Sequence, residues 1–122
     1  MLKSPKNLGV IHFIGIGGIG MSGIAEILFQ SVYNVQGSDI TDGNNTNRLT
    51  KLGIKVYIGQ KKSNILNAKL VVVSTAISAR NIEYMTAKKM FLPVVHRSEM
   101  LGEVMRLKKT NEIAGTYGKT TS

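Results

Sequence analysis

The sequence contains no cysteine, which excludes both a disulfide framework and a thiolate metal site. Its two histidines, His12 and His96, stand 84 positions apart, so we expect no zinc site. Acidic residues are also few: 7 Asp and Glu against 16 Lys and Arg give a net charge of +9 at pH 7. The basic residues are scattered along the chain, which is typical of a solvated surface and not of a nucleic-acid footprint. We therefore expect no nucleic-acid partner, although the positive field would attract an anionic small substrate.

A long uninterrupted apolar run is missing as well. Lys3 and Lys6 precede a hydrophobic stretch, an arrangement that superficially resembles a signal peptide. That stretch, however, contains six glycines between positions 9 and 23, and His12 and Glu26 interrupt it further. Such a composition is poor for a signal-peptide helix or a membrane span. We therefore expect a cytoplasmic protein without a membrane partner.

The most informative stretch is an apolar run at residues 8–14, followed by a glycine cluster and a helical pattern. Gly15, Gly17 and Gly20 have the spacing G-x-G-x-x-G, which is typical of a loop that binds a diphosphate. The first glycine allows a tight turn, the second lets the diphosphate approach the backbone, and the third lets the helix pack on the strand. The helix directs its free N–H groups at the anion. The predicted binding residues here are Gly15, Gly17, Gly18, Gly20, Met21 and Ser22.

Two polar residues near this loop leave alternatives open. Asp39 follows the second predicted strand, 19 positions after Gly20, where a dinucleotide fold places an acid that binds a ribose hydroxyl. A loop aspartate that caps its own turn explains it equally well. His12 lies within the first predicted strand, where a hydrogen-bonded core histidine is favoured over a functional one.

Strand and helix patterns alternate along the whole chain, without internal repeats. We predict strands at residues 8–14, 32–37, 54–58, 70–73 and 92–95. We predict helices at about residues 18–31, 45–52, 81–90 and 98–107, with a weak helix or turn at 61–67. Such alternation predicts an α/β fold: a Rossmann-like open parallel sheet of about five strands, order 3-2-1-4-5, with helices on both faces.

This strand order brings a second segment to the glycine loop. The carboxyl ends of strands 1 and 4 flank the crevice where ligands bind in such sheets. Ser74, Thr75 and Ala76 follow strand 4, and we predict that they contribute hydroxyl and backbone groups to the same site. An ordinary turn at the end of a strand is the alternative interpretation.

The last residues contain a second phosphate-binding pattern. A strand start at residues 112–114 precedes a Gly-Lys-Thr triplet, in which Lys119 would reach the terminal phosphates and Thr120 would hold Mg²⁺. The pattern is a variant, because Ile113 stands where the general phosphate loop has its first glycine. The predicted ATP-binding residues are Gly115, Thr116, Tyr117, Gly118, Lys119, Thr120 and Thr121.

Taken together, these motifs make the sequence similar to the Mur ligases. The resemblance covers nearly the whole chain and is carried by residues 15–25, 37–39, 48–49, 81–83, 97–101 and 115–121. Three residues depart from the family pattern: Tyr117 replaces a histidine, Ile82 a proline, and Gln60 a common histidine. The first bears on ATP handling, and the other two bear on the UDP-sugar domain.

The resemblance implies a bacterial three-domain enzyme of peptidoglycan synthesis, a process of cell-wall biogenesis that supports cell shape and division. It implies an ATP- and Mg²⁺-dependent ligase that joins L-alanine to UDP-N-acetylmuramate through an acyl phosphate. Residues 1–110 would be the Rossmann-like UDP-sugar-binding domain, and residues 111–122 the start of the ATP-binding domain. We accordingly expect a fragment that binds no ATP or Mg²⁺, contains no catalytic residue and is itself inactive.

Two other functions fit the glycine loop. A nicotinamide-dependent dehydrogenase would explain the glycines and Asp39 equally well, and so would a regulatory module that senses a nucleotide without chemistry. Neither explains the second phosphate motif at residues 115–121.

Overall fold

The computed structural model describes the backbone of residues 2–119 and the side chains of residues 2–109. Five parallel strands form one sheet in the order β3-β2-β1-β4-β5, as the sequence predicts. The strands are β1 (Val10–Ile14), β2 (Asn34–Asp39), β3 (Lys55–Ile58), β4 (Ala68–Val73) and β5 (Val94–His96). The helices are α1 (Pro5–Leu8), α2 (Met21–Gln30), α3 (Asn44–Leu52), α4 (Ile82–Lys89) and α5 (Arg97–Lys119), with a 3-10 helix at Lys62–Ile65.

Helices cover both faces of the sheet, and the alternation of side chains along β1 shows why. Ile11 and Phe13 belong to the larger apolar cluster, which also receives Leu28 of α2 and Val104 of α5. Ile14 points to the opposite face, where a smaller cluster includes Ile65 of the 3-10 helix and Ala87 of α4. The predicted two-sided packing is therefore confirmed.

Element boundaries differ from the predictions at the start of the chain. Residues 5–8 form α1, which the sequence analysis missed, and β1 begins at Val10 instead of residue 8. Pro5 begins this single turn, since its missing N–H costs nothing there, and Gly9 at φ +87° ends it. Strand β2 begins at Asn34 instead of residue 32, because Val32 adopts φ +71° in the turn after α2.

The largest difference concerns the last helix. We predicted a helix that ends at residue 107 and a strand that starts at residue 112, but α5 continues as a helix to Lys119. A strand there would need a neighbouring strand to accept its backbone hydrogen bonds, whereas a helix satisfies them within itself. The predicted phosphate-loop residues Thr120 and Thr121 lie outside the described residues.

Candidate functional site

The glycine loop is fixed against the end of β2. The chain leaves β1 through Gly15, whose φ of +80° is the tight turn that the spacing predicts. The backbone N–H groups of Gly15 and Ile16 donate to the carbonyl oxygen of Ser38 at 2.8 and 2.9 Å. The close approach requires glycine at position 37 of β2, because a Cβ there would lie 2.6 Å from the Ile16 side chain. The loop therefore lies directly on the backbone of β2.

Asp39 anchors the middle of this loop. Its Oδ2 accepts a hydrogen bond from the Gly17 N–H at 2.8 Å, and its Oδ1 accepts one from the Ile40 N–H at 2.8 Å. A Cβ on Gly17 would lie 2.8 Å from Asp39 Oδ2 and 2.9 Å from Thr46 Cγ2. Glycine is thus required at position 17 by the protein's own packing. Asp39 both caps its turn and holds the loop, and its contact with a ribose stays a prediction.

A first cleft opens between the carboxyl ends of β1 and β4. It has a volume of about 510 Å³, within the range of small-molecule sites. Its lining combines hydroxyl and amide groups with one arginine, Arg80, and one carboxylate, Asp39. The lining residues are Gly15, Gly18, Asp39, Ile40, Gln60, Ser74, Ala76, Ile77, Ser78, Arg80 and Asn81.

A second cleft of about 430 Å³ adjoins the first at Gly18 and Asp39. It is lined by the loop between β2 and α3, which carries Asp42, and by the first turn of α3, which carries Asn45. The Asn45 side-chain amide donates to the Gly17 carbonyl oxygen at 2.9 Å and so ties α3 to the glycine loop. The lining of this cleft contains two carboxylates and no cation, which suits sugar hydroxyls better than phosphate oxygens.

The amino end of α2 presents free backbone donors. The N–H groups of Ile19 and Gly20 donate to no described residue, and the helix dipole adds positive potential at this end. Gly20 adopts φ +84° as the residue that precedes the helix. Free N–H groups at a helix amino end are a general anion-binding arrangement, so this end of α2 has the donors that such a group needs.

A buried polar network lies in the interior next to β1 and β2, and Glu83 is its centre. Glu83 Oε1 accepts from His12 Nε2 at 2.7 Å and from Ser38 Oγ at 2.6 Å. Its Oε2 accepts from Asn64 Nδ2 at 2.7 Å and from the Lys61 N–H at 3.1 Å. Burial alone would raise the pKa of Glu83, but the hydrogen bonds from His12, Ser38 and Asn64 outweigh it and lower the pKa. Glu83 is therefore a buried carboxylate with four donors.

The same network explains His12. With its proton on Nε2, the ring donates to Glu83, and its Nδ1 accepts from Gln36 Nε2 at 2.8 Å. His12 is completely buried, so it cannot contact a ligand in the cleft. The prediction of a hydrogen-bonded core histidine is confirmed.

The structure brings most, but not all, of the predicted site residues together. Gly15, Gly18, Asp39, Ser74 and Ala76 line the first cleft, and Gly17 lines the second. Thr75 does not appear in either lining.

The two predicted residues of α2 lie in the interior. The Met21 side chain belongs to the apolar core, and its N–H donates to the Gly18 carbonyl at 3.1 Å. Ser22 is buried, with its Oγ 3.5 Å from Arg48 Nη2. We predicted both from their place beside the glycines, but the period of the helix turns their side chains inward.

Several cleft residues were not predicted. Gln60 and Asn81 lie together because Asn81 Nδ2 donates to Gln60 Oε1 at 2.6 Å. Arg80, which precedes α4, also lines the first cleft. In each case the signal was available, since polar residues that follow a strand or precede a helix at this edge face the crevice of a parallel sheet.

The predicted ATP site has no counterpart in the described backbone. Residues 115–119 lie within α5, where the backbone N–H groups bond along the helix and cannot wrap a phosphate. Among the described residues there is also no group of three or more His, Cys, Asp or Glu residues that could hold a metal ion. No described helix is both long and apolar enough to cross a membrane.

A parallel sheet of this order, with a glycine loop that leads into a helix beside the central crevice, defines a Rossmann-like α/β domain. Residues 10–109 match the family described as "Mur ligase family, catalytic domain". The chain belongs to the Mur ligase family.

Relatives and solved structures agree with this assignment. The chain is 57% identical over all its 122 residues to a UDP-N-acetylmuramate–L-alanine ligase of Parvibaculum lavamentivorans, of which it covers 25%. It is 56% identical to the ligase of the same name from Rhodospirillum rubrum, again covering 25%. The chain thus spans about a quarter of the length of these curated relatives.

Two solved structures share the fold. The UDP-N-acetylmuramate–alanine ligase MurC of Thermotoga maritima matches with a TM-score of 0.78 and 33% identity, over 83% of this chain and 24% of that one. The UDP-N-acetylmuramate:L-alanyl-gamma-D-glutamyl-meso-diaminopimelate ligase of Neisseria meningitides matches with a TM-score of 0.72 and 27% identity, over 79% and 31%.

Proposed function

We propose that these 122 residues are the UDP-N-acetylmuramate-binding part of an ATP-dependent ligase that adds L-alanine to UDP-N-acetylmuramate in bacterial peptidoglycan synthesis. The observation that carries the proposal is the cleft beside the glycine loop, at the carboxyl ends of β1 and β4, in a member of the Mur ligase family. The names of the two curated relatives described above, both UDP-N-acetylmuramate–L-alanine ligases, support the substrate. The proposed location is the cytoplasm, where UDP-sugars and ATP are available.

The two clefts would bind different parts of a UDP-sugar. In this proposal the diphosphate lies at Gly15–Gly20 and the amino end of α2, where free N–H groups and the helix dipole favour an anion. Ser74 and Ala76 line the other side of the first cleft. Asp39, at the junction of the two clefts, stands where its carboxylate would accept a hydrogen bond from a ribose or sugar hydroxyl. The positive net charge of +9 favours the approach of such a ligand.

The proposed reaction of the whole ligase follows from the chemistry of its substrates. A carboxylate does not react with an amine, because it has no adequate leaving group. Transfer of the γ-phosphoryl group of ATP to the lactyl carboxylate of UDP-N-acetylmuramate would give an acyl phosphate and ADP. The amine of L-alanine would then attack the acyl carbon, and inorganic phosphate would leave as the amide bond forms.

The residues described here do not fit ATP or Mg²⁺. The predicted ATP-binding residues 115–119 are helical, and Thr120 and Thr121 lie outside the described residues. We therefore derive no step that uses ATP from this structure. ATP and Mg²⁺ belong to the proposal for the whole ligase, together with L-alanine.

Calorimetric titration tests the proposal. The chain should bind UDP-N-acetylmuramate more tightly than NAD, because no feature of the clefts beyond the glycine loop and Asp39 favours a dinucleotide. Tighter binding of NAD would instead support a nicotinamide-dependent dehydrogenase. Binding of a nucleotide without preference for the muramyl sugar would support a nucleotide-sensing module.

A further inference from the structure

We infer that Arg97 is a further binding residue of this site, whose guanidinium group contacts the diphosphate of the nucleotide at the amino end of α2. The inference rests on the proposed function and adds a residue that neither the glycine motif nor the cleft linings include. Arg97 is the first residue of α5 and follows directly on β5.

Packing of α5 against α2 brings Arg97 to the glycine loop. A Cβ placed on Gly20 would lie 3.1 Å from Arg97 Nη1, 3.4 Å from Cζ and 3.6 Å from Nε. The guanidinium group therefore lies along Gly20, the residue that precedes α2, and most side chains at position 20 would displace it. The side chain is half-buried, so it is partly withdrawn from water and partly open to a ligand.

The charge of Arg97 is not neutralised within the described chain. The guanidinium forms no hydrogen bond or ion pair with any residue that the structure describes. Glu99, two positions along α5, accepts from the His96 N–H at 3.2 Å, and Asp39 is bonded to Gly17 and Ile40. A cation therefore stands at the positive end of the α2 dipole, an unfavourable arrangement without an anion between them.

The donors around this position suit phosphate oxygens. Arg97 offers a planar set of N–H groups that can bind two oxygens at once, and the free N–H groups of Ile19 and Gly20 lie in the same loop. A UDP-N-acetylmuramate molecule carries two kinds of anion, the diphosphate and the lactyl carboxylate. The diphosphate is the better match, because Gly20 belongs to the loop whose glycine spacing is typical of diphosphate binding.

The test compares Arg97→Met and Arg97→Lys with the unaltered 122-residue chain by calorimetric titration with UDP. Loss of hydrogen bonds to a charged group should weaken UDP binding by about 10- to 100-fold in Arg97→Met. Arg97→Lys should bind with intermediate affinity, since it keeps the charge without the planar set of donors. Lys108→Met is the matched control: it removes one positive charge from an exposed position of the same helix and should leave UDP binding unchanged.

Two further measurements separate ligand contact from a structural role and the diphosphate from the carboxylate. UDP affinity should fall less steeply with added NaCl in Arg97→Met than in the unaltered chain, because one ionic contact is missing. UDP-N-acetylglucosamine, which lacks the lactyl carboxylate, should lose as much affinity in Arg97→Met as UDP-N-acetylmuramate does.

Three outcomes would overturn the inference. Equal UDP affinity for a folded Arg97→Met and the unaltered chain would show that Arg97 makes no contact. A loss confined to UDP-N-acetylmuramate would assign Arg97 to the carboxylate. If the unaltered chain bound no uridine nucleotide, the proposed function would fail as well, so the two failures are distinguishable.

Discussion

At the scale of single residues, the glycine motif predicted Gly17 but not the neighbouring side chains that require a glycine there. The spacing predicted a glycine because a diphosphate must approach the backbone, but in the structure the close neighbours are Asp39 and Thr46. Both residues come more than 20 positions later in the chain. No spacing rule contains that information, because it depends on where β2 and α3 pack.

Replacing Gly17 should therefore distort the glycine loop and destabilise the protein even without a ligand. In Gly17→Ala, the Cβ would lie 2.8 Å from Asp39 Oδ2, so the bond between this carboxylate and the Gly17 N–H cannot keep its geometry. We expect a loss of stability of about 1–3 kcal/mol, as is typical of overpacking, and weaker binding of UDP. Urea denaturation and calorimetric titration measure the two effects. Gly17→Val should abolish nucleotide binding.

Gly23 provides the matched control within the same stretch. It lies in α2, and a Cβ there would have no heavy atom within 4 Å apart from its chain neighbours and the backbone of its own helix. Gly23→Ala should therefore stabilise the chain by up to about 1 kcal/mol, because alanine is the better helix former. A Gly17→Ala variant as stable and as tightly binding as Gly23→Ala would contradict the packing described here.

The carboxylate of Glu83 should contribute strongly to stability. In Glu83→Gln, one oxygen becomes an NH₂ group that faces at least one donor from among His12, Ser38 and Asn64. A buried donor without an acceptor costs about 1–3 kcal/mol, and urea denaturation at pH 7 should show a loss of this size. Glu26→Gln is the control, since Glu26 pairs with Arg48 at a partly exposed position and should cost less than about 1 kcal/mol.

The same carboxylate makes stability depend on pH. The pKa of Glu83 is lowered from 4.5 in the folded chain, so the folded state binds its proton less readily than the unfolded state. Its contribution is complete above the unfolded pKa and is lost as the pH falls through the lower folded pKa. The free energies of unfolding of the unaltered chain and of Glu83→Gln should therefore converge below about pH 4.5. A constant difference between pH 7 and pH 3 would contradict this assignment.

At the scale of elements, hydrophobic periodicity predicted the five strands and the helices between them, and the alternation of strands and helices predicted the strand order. Prediction from the sequence failed where a structure depends on contacts between residues far apart in the chain. Whether residues 112–114 start a strand depends on a neighbouring strand, which the sequence of these residues does not specify. Arg97 was likewise missed as a binding residue, because its place beside Gly20 depends on how α5 packs on α2.

Asn81 joins the start of α4 to the cleft. Its Oδ1 accepts from the N–H groups of Glu83 and Tyr84, and its Nδ2 donates to Gln60. Asn81→Ala should cost about 1 kcal/mol through loss of the cap, and it should weaken UDP-N-acetylmuramate binding if Gln60 contacts the ligand. Asn81→Asp keeps the cap acceptor but loses the donor to Gln60. It should therefore remain near full stability, and thermal unfolding of the two variants separates the cap from the cleft.

At the scale of the whole molecule, ligand binding should be visible as stabilisation. UDP-N-acetylmuramate at 100 times its dissociation constant should stabilise the folded chain by about 2.7 kcal/mol and raise its thermal midpoint. ATP with Mg²⁺ should not, because residues 115–119 are helical and present no phosphate loop. Phosphate release with ATP, Mg²⁺, L-alanine and UDP-N-acetylmuramate should stay at background. Turnover that disappears in Lys119→Ala would contradict this expectation.

The central place of β1 in the sheet also determines the order in which the domain assembles. Val10 pairs with Asn34, 24 positions later, and with Ala68, 58 positions later. Closing the longer loop costs about 0.8 kcal/mol more in chain entropy, so β1–α2–β2 has the kinetic advantage over the β1–β4 pairing. The glycine loop and Asp39 both lie within the early β1–α2–β2 unit. In pulse-labelled hydrogen exchange during refolding, the amides of β2 should gain protection before those of β4. The glycine loop should therefore form before α5 packs and places Arg97 beside it.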